Sequence, residues 1–163
     1  MSDSTVIDAL QNVKFFHGIP QKNLLRLSEI AKCLEYPART DIFREHDKAE
    51  DVYFIISGKV SLKISEPKAG VRQLMELGDG DLIGWSPLVG RHLLSDTAHT
   101  VTPVKAVAAN GEKLLDLCRK DPEFGFEFMR RALIALSERL SATRLQLLKV
   151  AGVQVYNGHI ESD

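Results

Sequence analysis

Apolar and polar residues follow three regimes along the chain. At the start, Ser4 or Thr5 can cap a short helix through Leu10, and "FFHGIP" (Phe15 to Pro20) breaks it with Gly18 and Pro20. "QKNLLRLSEIAKCLEY" then places Leu24, Leu27, Ile30, Ala31 and Leu34 at i, i+3, i+4 spacing, which predicts an amphipathic helix stopped by Pro37. From Tyr36 to Ala108 the period becomes two. "VYFIISG" is a continuous β-rich run, expected to be a strand buried on both faces. "KVSLKIS" alternates, with Val60, Leu62 and Ile64 inward and Ser61, Lys63 and Ser65 outward. "EPKAG" turns, "VRQLMEL" is another strand, and "GDGD" turns again. "TAHTVTPVKAVAA" returns to strand character, with Pro103 marking a break or an edge. Short strands separated by turns predict a sandwich or barrel.

The third regime is helical. "NGEKLLDLCRK" is short. Asp121 followed by Pro122 is a helix start, with the cap and the first-turn proline in register. Phe126, Met129, Leu133, Leu136, Leu140, Thr143 and Leu147 follow at steps of three and four, a coiled-coil seam sustained over three heptads. A helix running to Val150 overshoots a small β domain, so its far half needs a partner, most simply a second copy of the chain. Arg130, Arg131, Arg139, Arg144 and Lys149 make it basic, but Glu127 and Glu138 interleave, which predicts a solvated coiled-coil flank. Residues 151–163 have no period and are expected to form a flexible tail after one domain over 1–150, with its roll over about 36–108 and C-terminal helices over about 110–149.

Composition narrows the function classes. The chain has 163 residues, 44% hydrophobic and 26% charged, with a formal net charge of -1. That is one ordinary globular domain without the basic excess of a general nucleic-acid binder. No apolar run approaches a membrane span, and the first residues lack a signal peptide's pattern, so a cytoplasmic location is expected. Cys33 and Cys118 form no CxxC pair or metal-ligand spacing and are expected to be reduced thiols on apolar helix faces. Hydrolase and P-loop motifs are absent, and no enzyme is expected. Asp79 and Asp81 flank turn glycines, which accounts for them without a paired-carboxylate site.

"IFREHDKAEDVYFIISGKVSL", "LMELGDGDLIGWSPLV" and "TPVKAVAANGEKLLDLCRKDPEFG" resemble the cyclic-nucleotide-binding domain family, from about Val13 to Arg139. The resemblance implies a mainly β fold with flanking helices: a jelly-roll-like β-roll (double-stranded β-helix) with N-terminal helices and a long C-terminal helix. It also implies a phosphate-binding cassette in which a short helix offers backbone N–H groups to the cyclic phosphate. An arginine pairs the phosphate there, and a glutamate accepts the ribose hydroxyl. Here the cassette spans Gly84 to Ala98, and the candidate ligand-binding residues are Gly84, Trp85, Ser86, Leu88, Arg91, Asp96, Thr97 and Ala98. Trp85 stands at the glutamate position, and its indole donates but cannot accept. The arginine position falls on Leu94 or Asp96, according to register, and neither pairs a phosphate. Arg39 and His46 stand where the family pattern has turn glycines. The "GWSPLV" variant and "RLSATRLQLL" are similar to a subgroup of short bacterial members that stand alone.

The resemblance therefore implies a regulatory sensor module with an altered pocket. The expected assembly is a homodimer through Phe126, Met129, Leu133, Leu136, Leu140 and Leu147, acting on a protein partner. No cofactor or metal is assigned; a cyclic nucleotide or another small effector is the candidate ligand. Two alternatives stay open. One is a cAMP or cGMP receptor in which Arg91 replaces the lost arginine; the other is a ligand-free structural adaptor whose pocket Trp85 and Leu94 fill. Arg91 and His92 also read as solvated loop residues, Trp85 as packing and His99 as a buried neutral histidine. Only a short tail follows the long helix, so direct DNA recognition is not expected.

Overall fold

The computed structural model describes residues 3–152. Helices α1 (Asp3–Asn12) and α2 (Gln21–Ser28) precede eight strands. These are β1 (Ala31–Tyr36), β2 (Asp41–Phe43), β3 (Asp51–Ser57), β4 (Val60–Glu66), β5 (Gly70–Leu77), β6 (Leu82–Ile83), β7 (Thr97–Thr100) and β8 (Val104–Asn110). Helices α3 (Gly111–Lys120) and α4 (Pro122–Val150) follow. The strands form two four-stranded sheets, ordered β1-β8-β3-β6 and β2-β7-β4-β5, with antiparallel pairing throughout. This is the β-roll with flanking helices that the resemblance implied.

Strand alternation divides the core in two. On β3, Val52 and Phe54 face a helical cluster with Leu10, Phe16, Leu27, Leu114, Phe124 and Phe128. Tyr53 and Ile55 face the roll interior, with Phe43, Val60, Leu62, Ile83 and Ala106. Both faces of "VYFIISG" are thus covered, as its unbroken apolar run predicts. Edge-on and tilted ring contacts link Phe15, Phe16, Phe54 and Phe128 at centroid distances of 4.7–6.2 Å, which seats α4 against the roll. Asp121 accepts from the Phe124 N–H and Asn110 from the Lys113 N–H, so both C-terminal helices start on side-chain caps.

Four expectations need correction. The helix predicted through Leu34 ends at Ser28, and Ala31 to Tyr36 instead pair residue by residue with β8. Ser28 Oγ bonds back to the Leu25 carbonyl at 2.6 Å at that end. Six residues of backbone ladder outweigh a short helical period. Cys33 consequently lies on a strand, while Cys118 is helical; both are half-buried free thiols. The first helix also spans Asp3 to Asn12, beyond the predicted cap and end. The roll's strands extend over 31–110. Ser61, predicted outward, is 2% exposed. It pairs with Glu76 on β5 and His99 on β7, so its strand is flanked on both sides within the sheet. Of the predicted tail, residues 153–163 lie outside the described residues. No described helix is long and apolar enough to cross a membrane.

Candidate functional site

The cassette begins where β6 ends. Gly84 has φ +68, and a Cβ there would lie 3.0 Å from the Tyr53 ring and 3.1 Å from the Phe43 ring. Glycine is therefore required both by the backbone and by the space. The chain turns through Trp85 into a short 3-10 helix, Ser86–Val89, with Pro87 in its first turn. Gly90, at φ +73, ends it, and the Arg91 N–H donates to the Ser86 carbonyl at 3.0 Å. The return segment is held by backbone bonds to the β2–β3 loop: Ala49 N–H to His92 O, Leu94 N–H to Asp47 O and His46 N–H to Leu94 O, each 2.9 Å. His46 and Arg39 both adopt left-handed backbone, φ 71 and 61, at the two positions where the family pattern has glycine. The turns have kept their geometry while losing the residue that adopts it without strain.

The predicted site residues take distinct places. Leu94 is 5% exposed and belongs to the interior cluster with Ile55, Leu62 and Ile83. Ala98 is buried and pairs with Leu62 and Phe43. Thr97 Oγ1 accepts from the Glu45 N–H at 3.0 Å. Ser86 is buried, and Leu88 packs with the helical cluster. Arg91 and His92 are exposed. His99, expected buried and neutral, is partly exposed and donates from Nδ1 to Asp41 Oδ1 at 2.7 Å. That hydrogen bond, with help from Arg44, holds the Asp41 carboxyl below its usual range against the effect of burial. Asp79 and Asp81 accept the Gly58 and Gly78 N–H groups at 3.0 and 2.8 Å, the turn role the glycine spacing indicated.

The cation of the site comes from α4. Arg139 lies over the Trp85 ring, its guanidinium carbon 5.5 Å from the centroid, in cation–π range. Burial lowers its proton affinity, opposed by the Asp81 and Asp96 carboxylates. Asp96 is pushed up by burial, with Arg139 pulling the other way and Glu45 adding to the rise. Two turns further along, Gln146 Nε2 donates to the Leu74 carbonyl at 2.8 Å. The helix therefore lies across the roll and does not leave it after its first turns. Arg131 is also turned inward, donating to the Phe15 carbonyl at 2.6 Å and to Glu127 at 2.8 Å. The solvated-flank reading of these arginines is thus corrected for Arg131 and Arg139. A signal for it was available: Arg139 follows Phe128 and Ala132 by eleven and seven residues, on the same helix face.

The seam residues lie on another face of α4. Phe126 is 71%, Leu133 68%, Leu140 53% and Leu147 68% exposed, Met129 is marginal and Leu136 is half-buried.

The cyclic nucleotide-binding domain family pattern matches residues 33–121, more than half of the chain. The chain belongs to that family. Among relatives, it is 24% identical over 140 residues to a CRP-like cAMP-activated global transcriptional regulator of Mycobacterium tuberculosis, covering 86% of this chain and 61% of that protein. It is 33% identical over 108 residues to a cyclic AMP receptor protein of Thermus thermophilus, covering 66% of this chain and 50% of that one. A cyclic nucleotide-binding domain from Methylobacillus flagellatus superposes with a TM-score of 0.75 at 18% identity, over 97% of this chain and 86% of its own, which shows the fold. The chain thus spans 50–61% of the length of these two relatives. A transcriptional regulator among the relatives gives no support to the expectation that DNA is not contacted.

Proposed function

We propose that the chain is an effector-responsive regulatory module of the cyclic nucleotide-binding family, with an altered pocket, acting as a homodimer on a protein partner. The observation that carries this reading is that α4 serves two places at once. It sends Arg139 to Trp85 in the cassette, and it presents Phe126, Leu133, Leu140 and Leu147 to solvent on a separate face. A change at the pocket is then mechanically tied to the apolar seam.

The residues present do not fit a cyclic nucleotide held in the family manner. The Trp85 indole has no acceptor for a ribose hydroxyl. Of the two residues at the arginine position, Asp96 is half-buried and would repel a phosphate, and Leu94 is part of the packed interior. Arg91, the substitute anchor, is exposed.

Calorimetric titration of the full chain with cAMP and with cGMP tests the altered pocket. The expected result is no saturable heat with either nucleotide. Saturation at micromolar concentration would overturn the altered-pocket reading in favour of an ordinary second-messenger receptor.

A further inference from the structure

A cleft of about 370 Å³ opens between the start of α2 and the first turns of α4, and shares no residue with the cassette. Ile19, Pro20 and Asn23 line one side, and Phe124, Phe126 and Glu127 the other. Its volume falls within the roughly 300–1,000 Å³ of small-molecule sites. Both ends are pinned. Arg26 of α2 pairs with Asp121, the cap of α4, at 3.2 Å, and Arg131 donates to the Phe15 carbonyl at 2.6 Å. The walls are thus held in place before any guest arrives.

Asn23 is the residue that packing does not explain. It is 5% exposed, and its Oδ1 is buried without a hydrogen-bond partner. A buried acceptor left unpaired is destabilising, and an apolar side chain of similar shape would avoid the penalty. The torsion that aims a terminal carboxamide is soft, so a small rotation turns the oxygen toward a guest. The charged groups nearby are already satisfied by one another. Asp121 accepts from Arg26 and from the Phe124 N–H, and Glu127 accepts from Arg130 and Arg131. Lys22 and Glu123, also on the lining, are exposed and opposite in sign, so they favour neither an anion nor a cation. What the cleft lacks is a donor for Asn23. Beside that oxygen stand apolar side chains: Ile19 and Phe124, both buried, and Phe126, 71% exposed at the rim.

We propose that this cleft is a second ligand site, for a small neutral molecule that carries an amide N–H on an aromatic ring. The N–H donates to Asn23 Oδ1, and the ring lies against Ile19, Phe124 and Phe126. Phe124 and Leu133 point to opposite sides of α4, about 180° apart at 3.6 residues per turn. Covering the seam therefore leaves the cleft open, and the site serves monomer and dimer alike.

The probe is benzamide, titrated into the full chain and followed through protein amide shifts by NMR. N,N-Dimethylbenzamide keeps the ring and the carbonyl and lacks the N–H. The expected result is saturable binding of benzamide, with a Kd on the order of 1 mM, and shifts in residues 18–27 and 121–131. The dimethyl compound should bind about 10-fold more weakly. Asn23→Leu should lose that preference and keep or raise the urea midpoint, because it removes an unpaired buried oxygen. Phe126→Ala changes an exposed ring and should weaken both compounds about 2- to 10-fold. Absence of saturation, equal affinity for the two amides, or shifts confined to residues 84–98 would each overturn the proposal. A lower urea midpoint in Asn23→Leu with the preference retained would make the carboxamide a structural group and overturn it too. Should Asn23→Leu not fold, unchanged affinity in Phe126→Ala has the same force. A chain that binds no benzamide leaves the proposed regulatory module standing, since that reading rests on the cassette and the seam.

Discussion

Leu133 separates two ways in which α4 can bury its apolar seam. It is 68% exposed in the single chain, in the middle of the helix, with Phe126 and Leu140 one heptad to either side. Full burial of a leucine side chain is worth about 1.5–3 kcal/mol. Covering the exposed two-thirds would therefore contribute about 1–2 kcal/mol per copy. A two-fold dimer uses the same patch twice, so Leu133→Ser should weaken association by about 2–4 kcal/mol. That corresponds to a dimer Kd raised about 30- to 1,000-fold. Sedimentation equilibrium over a range of protein concentrations measures the shift directly. The monomer provides the internal control. Because Leu133 meets solvent in the single chain, chemical unfolding of the dissociated protein should change only by the lower helix propensity of serine, about 0.5 kcal/mol. Two results would refute the reasoning. A Kd altered by less than about threefold would take the seam out of the interface. A loss of about 2–5 kcal/mol from the monomer would mean that Leu133 packs on its own roll like any core leucine.

Three further outcomes follow from single features. His46→Gly should stabilise the fold by about 1 kcal/mol in urea unfolding, since it relieves a left-handed backbone while keeping the N–H bond to Leu94; a loss of stability would show that the imidazole has a role of its own. Burial pushes the Cys118 thiol up to about 11, so at pH 8 its thiolate fraction, and its rate of reaction with a disulfide reagent, should be about 100-fold below an ordinary thiol of pKa 9, measured on Cys33→Ser. Asp41 is held below the ordinary aspartate value of 3.8, chiefly by the hydrogen bond from His99; its stabilisation is present above 3.8 and lost as pH falls through the lower folded value, so Asp41→Asn should cost stability at neutral pH and converge on the unaltered chain in acid unfolding.

Much of the fold was legible because its signals are local and repeat. The alternation at Val60 and Leu62, the turn at "GDGD", and the Asp121–Pro122 start each depend on residues within a few positions; Ile64, expected inward, is only half-buried, past a register shift between Leu62 and Lys63. "SEIAKCLEY" misled because Leu24, Leu27, Ile30, Ala31 and Leu34 satisfy a helical period, while its outcome was decided by β8, more than seventy residues away. Ser61 misled for a related reason. Its polarity predicts exposure, but its burial is set by the sheet, where β4 is flanked by β5 and β7. At the site, the lost anchors at Trp85 and at Leu94 or Asp96 could be read from the cassette's own spacing. The cation could not, because Arg139 is supplied by another element, and five basic residues on one helix look alike until the direction of each is known. Ala132, Arg139 and Gln146 at steps of seven mark that face, beside the more apolar seam at Phe126, Leu133, Leu140 and Leu147.

That helix geometry also constrains how a signal could pass. Arg139 and Leu140 are adjacent, so they project about 100° apart around the axis of α4. Seating Arg139 over Trp85 therefore fixes the direction in which Leu140 points, and with it the whole seam at heptad spacing. On the proposed reading, an effector that displaces Arg139 frees the helix to roll or lift, and either motion re-aims Leu133, Leu140 and Leu147 together. The first half of α4 cannot follow, because Phe124 and Phe128 are buried and Arg131 is bonded to Phe15. The change must then be confined to the stretch beyond Arg131, where, among the described residues, Gln146 to the Leu74 carbonyl is the last bond holding the helix to the roll. A ligand can shift this equilibrium only by its difference in affinity for the docked and released arrangements. A ligand that binds at Trp85 without displacing Arg139 would leave the dimer face unchanged, however tightly it binds.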